Sequence, residues 1–465
     1  MKFIWDTIFV NGSKFVETVG SVKKWNKKKG FLFLLTKNLF VLLFVLKMTS
    51  ALKFIIIHAS ELVCVTGNGE RYLKGSQMDK LKIIKDGGMA VGEDGKIKDV
   101  GKSEYIIKKY EKEKKEIIDL KMKKAIIPGL VDSHTHSIFA GDRINEFEMK
   151  IKGATYMEIH KKGGGIGYTV ECIRKEKEEI LLKELIKYLN RMLKQGTILT
   201  EIKSGYGLNL LNEIKMLKII EKANEIHNIE IIGYLKNIYF IDVFHEKGIF
   251  EFKETLQILQ CGKKYGFYIN FHGDELHYNS SAELASIINA TAVSHLEFIS
   301  NYGISLLSKY LIAAILLPTT AHFLRIHYPP ARLLISNDVI LALGSDFNPN
   351  SFCLSMPFVM NLSCVSMKLT FNEALAASTI NSAYALRQSH LFGSLEIHKY
   401  ASFIIIDHHD WRHIIYQLVD PPIHSVFQKG ICVWTKFHPT LLPDHDDHLH
   451  RSQLFAEPPL PPSKL

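Results

Sequence analysis

Two histidines one residue apart, His134 and His136, stand in the segment Ala125 to Arg143, AIIPGLVDSHTHSIFAGDR. Imidazole nitrogens ligate Zn²⁺ and Fe, and in an extended chain the side chains at i and i+2 point to the same side, so both rings reach one ion. Alone, a His-x-His motif reads equally well as two surface residues. It gains meaning from four further positions that follow strand-like runs: His272 and Glu275 in FHGDEL, His295 in SHLE, and Asp346 in GSDFNPNS. Taken singly, His272 or His295 is a satisfied core histidine and Asp346 the start of a turn. At the ends of separate strands they supply together the nitrogen and oxygen donors of one hydrolytic metal centre.

The elements that would hold these residues are apolar runs at 125–132, 197–203, 229–235, 238–244, 267–272, 291–295, 311–317 and 339–345. Between most of them lie helical patterns, such as 176–194, 209–226 and 252–264. Alternating strands and helices imply a parallel sheet, and eight repeats match an α/β fold of the (β/α)₈ barrel type, whose chemistry sits at the carboxyl ends of its strands. One interval breaks the pattern. The third and fourth runs are separated only by Lys236 and Asn237, whereas a parallel crossover needs about a dozen residues. The two runs form a hairpin or one strand, or a βα connection is missing.

Both flanks of this block are β-like. Residues 53–119 carry FIIIHASELVCV and an Asp94-Gly95 hairpin signal, and 393–407 and 423–433 match them at the other end. The expected organisation is therefore a small discontinuous β-sandwich from residues 48–124 and 391–435, a barrel from 125–390, and a disordered tail from 436–465. Residues 1–47 hold a basic KKWNKKK followed by the apolar run Phe31–Leu46. That run is short for a membrane span of about 20 residues. It suits a signal anchor, or upstream sequence joined to a chain that starts at Met48, and the second is the better fit.

The 465 residues carry 58 Lys and Arg against 48 Asp and Glu. The excess of lysine is concentrated in the first 125 residues, without the Arg and aromatic pattern of a nucleic-acid surface. Six cysteines lack C-x-x-C spacing, which argues for a reducing, cytoplasmic setting rather than a disulfide framework. Gly163–Gly165 is followed by no G-K-[ST], so it reads as a substrate-covering loop rather than a phosphate loop. Arg143, in the first loop, has the planar fork that pairs with a carboxylate, and Tyr206 lies between glycines that let backbone approach a ligand.

PGLVDSHTH, EIKSGYGL, FHGDEL, SHLE, LLPTTAHFLR, LGSDFNPNS and GATYMEIHKKGGGI resemble the imidazolonepropionases, metal-dependent members of the amidohydrolase superfamily, over residues 48–430. The resemblance implies a distorted (β/α)₈ barrel with a small β-sandwich and one Zn²⁺ or Fe ion. The reaction it implies is hydrolysis of 4-imidazolone-5-propanoate to N-formimidoyl-L-glutamate in histidine degradation, by metal-activated water. It makes His134, His136, His272 and Asp346 the metal ligands and Glu275, His295 and Asp346 the catalytic groups. Arg143, Tyr206, Glu275, Asn348, Asn350 and Ser351 fall at substrate-binding positions. The partner is a small molecule, with no nucleic acid and no membrane for the core, and a homodimer is compatible.

Three departures from the family pattern stand out. The Gly-Ala-His segment and helix expected after the third strand are absent between Tyr234 and Ile238, residues 1–47 have no counterpart, and Lys399-Tyr400-Ala401-Ser402-Phe403 replaces Lys-x-Ala-Asp-hydrophobic. The alternatives are another cyclic amide or amidine hydrolase or deaminase of the superfamily, or a relative made inactive by the internal gap.

Overall fold

The computed structural model of the protein describes residues 51–113, 115–154, 158, 162–233 and 240–437. The run Phe31–Leu46, the Lys236-Asn237 junction and the tail from His438 lie outside these. No helix among the described residues is long and apolar enough to cross a membrane.

The Ile- and Phe-rich runs from the two flanks meet in one eight-stranded mixed sheet. Strand β1 (Leu52–Val65) pairs antiparallel with β2 (Lys82–Gly92), which turns into β3 (Ile97–Lys102) through Gly95 at φ 72°. Strands β4 (Glu116–Asp119) and β5 (Ala125–Pro128) lie parallel to β1. Across β5 the sheet continues antiparallel into β15 (Phe403–Ile406), β16 (Ile423–Gln428) and β17 (Ile431–Thr435). A Lys96–Tyr400 bridge curls the sheet onto itself around Phe54, Ile56, Leu62, Met89, Phe403 and Phe427. Successive residues face opposite ways, so Ile404 and Ile406 of β15 leave that cluster and join the core of the barrel.

The barrel strands are β6 (Leu130–Asp132), β7 (Thr197–Glu201), β8 (Glu230–Ile232), β9 (Phe240–Ile241), β10 (Phe244–His245), β11 (Tyr268–Gly273), β12 (Ala292–His295), β13 (Ala313–Leu316) and β14 (Leu341–Leu343). They form a parallel sheet β6-β7-β8 and a second parallel sheet β10-β11-β12-β13-β14, to which β9 adds by pairing with β11. The sheets meet on one side through a parallel Thr135–Phe347 bridge. The helix Glu178–Lys194 shows how the outer layer is specified. Leu181, Leu185, Tyr188, Leu189, Met192 and Leu193 recur at helical spacing and are buried, each worth about 1.5–3 kcal/mol. Glu178 and Glu179 in the first turn and Arg191 and Lys194 in the last suit the helix dipole. The helix ends at Gly196, φ 87°, where a Cβ would lie 2.4 Å from Ile404 Cδ1, so a bare Cα lets the helix end pass over β15.

Two strand expectations need correction. The run 125–132 is two strands in two sheets, β5 in the eight-stranded sheet and β6 in the barrel. They part at Gly129, whose N–H donates to Ser402 O and whose Cβ would clash with Ile198 at 2.3 Å. Of the runs 229–235 and 238–244, the described residues give β8, β9 and β10, and among them β8 pairs with neither β9 nor β10. Among the described residues they make no hairpin: β8 belongs to one sheet and its successors to the other.

Candidate metal centre

The loops after β6 and β14 are clasped together. Asp346 N donates to His134 O at 3.0 Å and His136 N to Phe347 O at 2.8 Å. The approach is close enough that a Cβ on Gly344 would sit 3.0 Å from His134 N. Beneath it Asp132 accepts from Ser345 N and Oγ, at 2.9 and 2.5 Å, and burial pushes its carboxyl up to about 7.

Above this clasp the expected ligands converge. His136 Nε2 is 3.1 Å from His272 Nε2, and Asp346 Oδ1 is 3.6 Å from His134 Nε2 and 3.7 Å from His136 Nε2. His134 is fully buried; its Nδ1 meets Ser294 Oγ at 2.9 Å, while its Nε2 has no hydrogen-bond partner. The second oxygen of Asp346 accepts from Thr320 Oγ1. Burial, with His272 and Lys203 nearby, holds His134 well below the usual imidazole range. Burial and His272 bring His136 down to about 4 against the pull of Asp346. Both rings are therefore neutral with lone pairs to offer.

His272 is oriented from behind: its Nδ1 meets Asp242 at 2.9 Å and its backbone N–H donates to the same carboxylate at 3.1 Å. Asp242 is 3.2 Å from Lys203 Nζ, which is 3.0 Å from Glu201, and Asn270 Nδ2 donates to Glu201 at 3.2 Å. Burial opposes charge on Asp242, yet His272 and Lys203 hold it far below the usual carboxylate range. Burial pushes Glu201 up to about 7.

His295 lies between two carboxylates, Glu275 at 3.6 Å from Nε2 and Glu297 at 3.8 Å from Nδ1. Burial disfavours its charge, but Glu275 and Glu297 push the imidazole up to about 10, and burial pushes Glu275 up to about 7 despite His295. A proton is thus held between Glu275 and His295. His295 (φ 80°) and Asp346 (φ 46°) both occupy the left-handed region, a strain of roughly 1–3 kcal/mol each that is tolerated chiefly at functional sites.

On the open side, the Tyr206 ring lies 5.5 Å from that of His136. Arg143 is not free: its Nε and an Nη donate to Glu146 Oε2 at 2.8 and 2.6 Å, both side chains being about nine-tenths buried. Beside it Lys150 Nζ donates to Asn350 Oδ1, its ammonium pushed below the usual range by burial and by Arg143. Asn348 Oδ1 accepts from the N–H groups of Asn350 and Ser351, at 2.8 and 3.1 Å, which fixes the loop after Asp346.

The chain is 45% identical over 427 residues to a mouse protein described as "Probable imidazolonepropionase", covering 84% of this chain and all of that one. The human counterpart is 44% identical, over 80% of this chain and 95% of its own length. This chain belongs to the imidazolonepropionase family. The Amidohydrolase family model matches residues 243–433. An adenosine deaminase from Xanthomonas campestris with bound zinc superposes with a TM-score of 0.62 at 14% identity, over 85% of this chain and 95% of that one. The E. coli guanine deaminase superposes at 0.59, also at 14% identity, over 83% and 99%. These neighbours share the fold.

The 427 aligned positions exceed the share of this chain they span, since 84% of 465 residues is about 390. Some tens of residues of the mouse protein thus face gaps in this chain. The donor set itself is intact. Ligands bound at about 2.0–2.2 Å around a tetrahedral ion lie roughly 3.3–3.6 Å from one another, and the separations of 3.1, 3.6 and 3.7 Å are close to that. The buried, unpartnered Nε2 of His134 points the same way. His134, His136 and Asp346 form one group of mutually close donors, and His134, His272 and His295 another.

Reading the sequence missed Lys203, Asp242, Glu201, Glu297 and Thr320. Lys203 stands two residues after Glu201, on the same side of an extended segment, and Asp242 falls in the fourth apolar run. Polar residues at those strand ends were the available signal.

Proposed function

We propose that the protein hydrolyses 4-imidazolone-5-propanoate to N-formimidoyl-L-glutamate in the cytoplasm. The observation that carries this reading is the convergence of His134, His136, His272 and Asp346 from three separate strand ends, with Glu275 and, from a fourth, His295 beside them. His134, His136, His272 and Asp346 would hold one Zn²⁺ or Fe ion. A bound ion of this kind supplies a Lewis acid and brings the pKa of water to roughly 7.

The residues of the chain do the rest. Asp346, with one oxygen tied to Thr320, uses the other to take the proton of the attacking water. His295, kept protonated by its two carboxylates, donates to the ring carbonyl and steadies the oxyanion that forms. The C–N bond of the cyclic amide then breaks. The carbon keeps the oxygen of water as a carboxylate, and the proton that Asp346 took from water passes through Glu275 to the departing nitrogen. At the far end, Arg143 and Lys150 offer two cations against the one carboxylate of Glu146, leaving room for the propionate. Tyr206 covers the ring, and Asn348, Asn350 and Ser351 shape the loop that faces the opened product.

The test is turnover of synthetic imidazolonepropionate by the metal-loaded protein, followed by liquid chromatography of formimidoylglutamate. Turnover abolished by His136→Ala supports the reading. Stoichiometric metal without turnover overturns it in favour of an inactive relative, a second reading favoured by the unmatched tens of residues.

A further inference from the structure

The cationic depression at the amino ends of β11, β12 and β13 is unused by the chemistry above. It is built from Phe267–Ile269, Asn289–Thr291 and Tyr310–Leu311, closed by Arg71, Lys263, Tyr384, Arg387 and His390, and has a volume of about 420 Å³. His272 and His295 terminate β11 and β12 at their other ends, so the depression opens on the face of the barrel opposite the metal centre. Four steps along the strand separate Tyr268 from His272, a span of roughly 13 Å.

We propose that this depression is a second binding site, for a phosphate-bearing small molecule gripped by Arg71, Arg387 and Lys263. Its lining contains no Asp or Glu in a chain that has 48 of them. Among the described residues, no carboxylate lies within ion-pair distance of any of the three cations. Two of the three cations are held in place. The Arg387 guanidinium lies 3.8 Å over the Tyr268 ring, which fixes the plane of its fork, and Lys263 Nζ is anchored on Ile288 O at 2.7 Å. Tyr384 is pinned through its hydroxyl on Leu311 O at 3.2 Å and its ring against Tyr72 at 4.8 Å.

Arg71 and Arg387 both bear on His390, whose imidazole is pushed below its usual range by burial and then by Arg71, Lys399 and Arg387. The unneutralised positive field therefore extends across the rim. Two planar forks and one point charge suit a tetrahedral dianion better than a carboxylate, because three donors can meet its three terminal oxygens. The volume falls within the range of small-molecule sites, about 300–1,000 Å³. The rival account is that these are ordinary solvated surface charges, each without a bound anion.

Calorimetric titration of the full-length, metal-loaded protein at physiological salt decides between them, with inorganic phosphate, AMP and uncharged adenosine as probes. The expected result is saturable AMP binding at submillimolar concentration, weaker phosphate binding and none for adenosine. Arg71→Gln should weaken AMP binding by about tenfold or more, and Arg387→Lys, which keeps charge but loses the fork, should weaken it as well. Lys263→Met is a further variant should Arg387 prove needed for folding, and unliganded melting temperatures report on that. Absence of binding, binding of all anions in proportion to charge, or binding unaffected in Arg71→Gln and Lys263→Met overturns the proposal. Binding lost only in His136→Ala places the anion in the metal centre and overturns it too.

Discussion

Replacing Asp242 with Asn tests whether the metal centre depends on the residues behind it. In the structure the Asp242 carboxylate meets His272 Nδ1 at 2.9 Å and lies 3.2 Å from Lys203 Nζ, and it is ionised. An amide of the same shape still accepts one hydrogen bond but carries no charge. A charge-assisted bond contributes roughly 1.5–3 kcal/mol and a neutral one about 0.5–1.5, so the exchange costs about 1–2 kcal/mol. At 1.36 kcal/mol per factor of ten, metal affinity should fall by roughly 5- to 30-fold, overlapping the 10- to 100-fold typical of groups that orient a metal-bound histidine. Competition against a chromogenic zinc chelator measures this directly, without any turnover. Asp242→Ala should lose more, since Lys203 then keeps only Glu201. An affinity in Asp242→Asn equal to that of the unsubstituted chain, with the fold intact by circular dichroism, would refute the reasoning and remove His272 from the proposed ligands.

Further outcomes are as specific. Arg143→Met should lower kcat/KM for imidazolonepropionate by roughly 10- to 100-fold, chiefly through KM, because a charge-assisted carboxylate contact is lost; an equal loss on an imidazolone lacking the propionate would show that Arg143 only supports the loop. Leu189→Ala, which empties a fully buried position on the helix Glu178–Lys194, should cost about 2–5 kcal/mol in urea denaturation with an unchanged m-value. His227 accepts the Ile229 N–H at 3.0 Å and lies 3.0 Å from Asn190 Oδ1, and burial takes its imidazole from 6.5 to about 4. The unfolded chain takes up a proton there that the folded chain refuses. Stability is full above pH 6.5 and declines as pH falls towards 4, by up to about 2 kcal/mol between pH 7 and 5. His227→Gln should flatten that slope, and a slope unchanged by the substitution would count against the assignment.

Much of the centre was legible because metal ligation restricts residue type so narrowly. A histidine after an apolar run stands out, and four strand ends could be matched by eye. Lysine and aspartate carry no such mark. Lys203 and Asp242 acquire meaning only when the ends of β7 and β9 meet beside His272, a long-range pairing that a local pattern does not encode. The same holds for the split at Gly129. The run 125–132 is continuously apolar because both of its halves are buried, and periodicity cannot tell that they are buried in different sheets. Around 229–244 the limit is topological: with so few residues between β8 and β9, the two cannot be neighbours in a parallel sheet. Glu146 beside Arg143 was likewise within reach of an i, i+3 reading, and the structure shows that it shares the guanidinium.

A backbone bridge at Thr135 and Phe347 joins the two barrel sheets on one side, and in the interior side chains link them as well, Lys203 reaching Asp242 and Asn270 reaching Glu201. Peptide ladders respond weakly to acid and to ionic strength, but a clasp of charges does not share that indifference. Shielding Lys203, or replacing Asp242, should therefore loosen the hold of the β6-β7-β8 sheet on its neighbour. The amides of Glu230–Ile232 would then exchange with deuterium ahead of those in β12 and β13, marking the place where the molecule first comes undone.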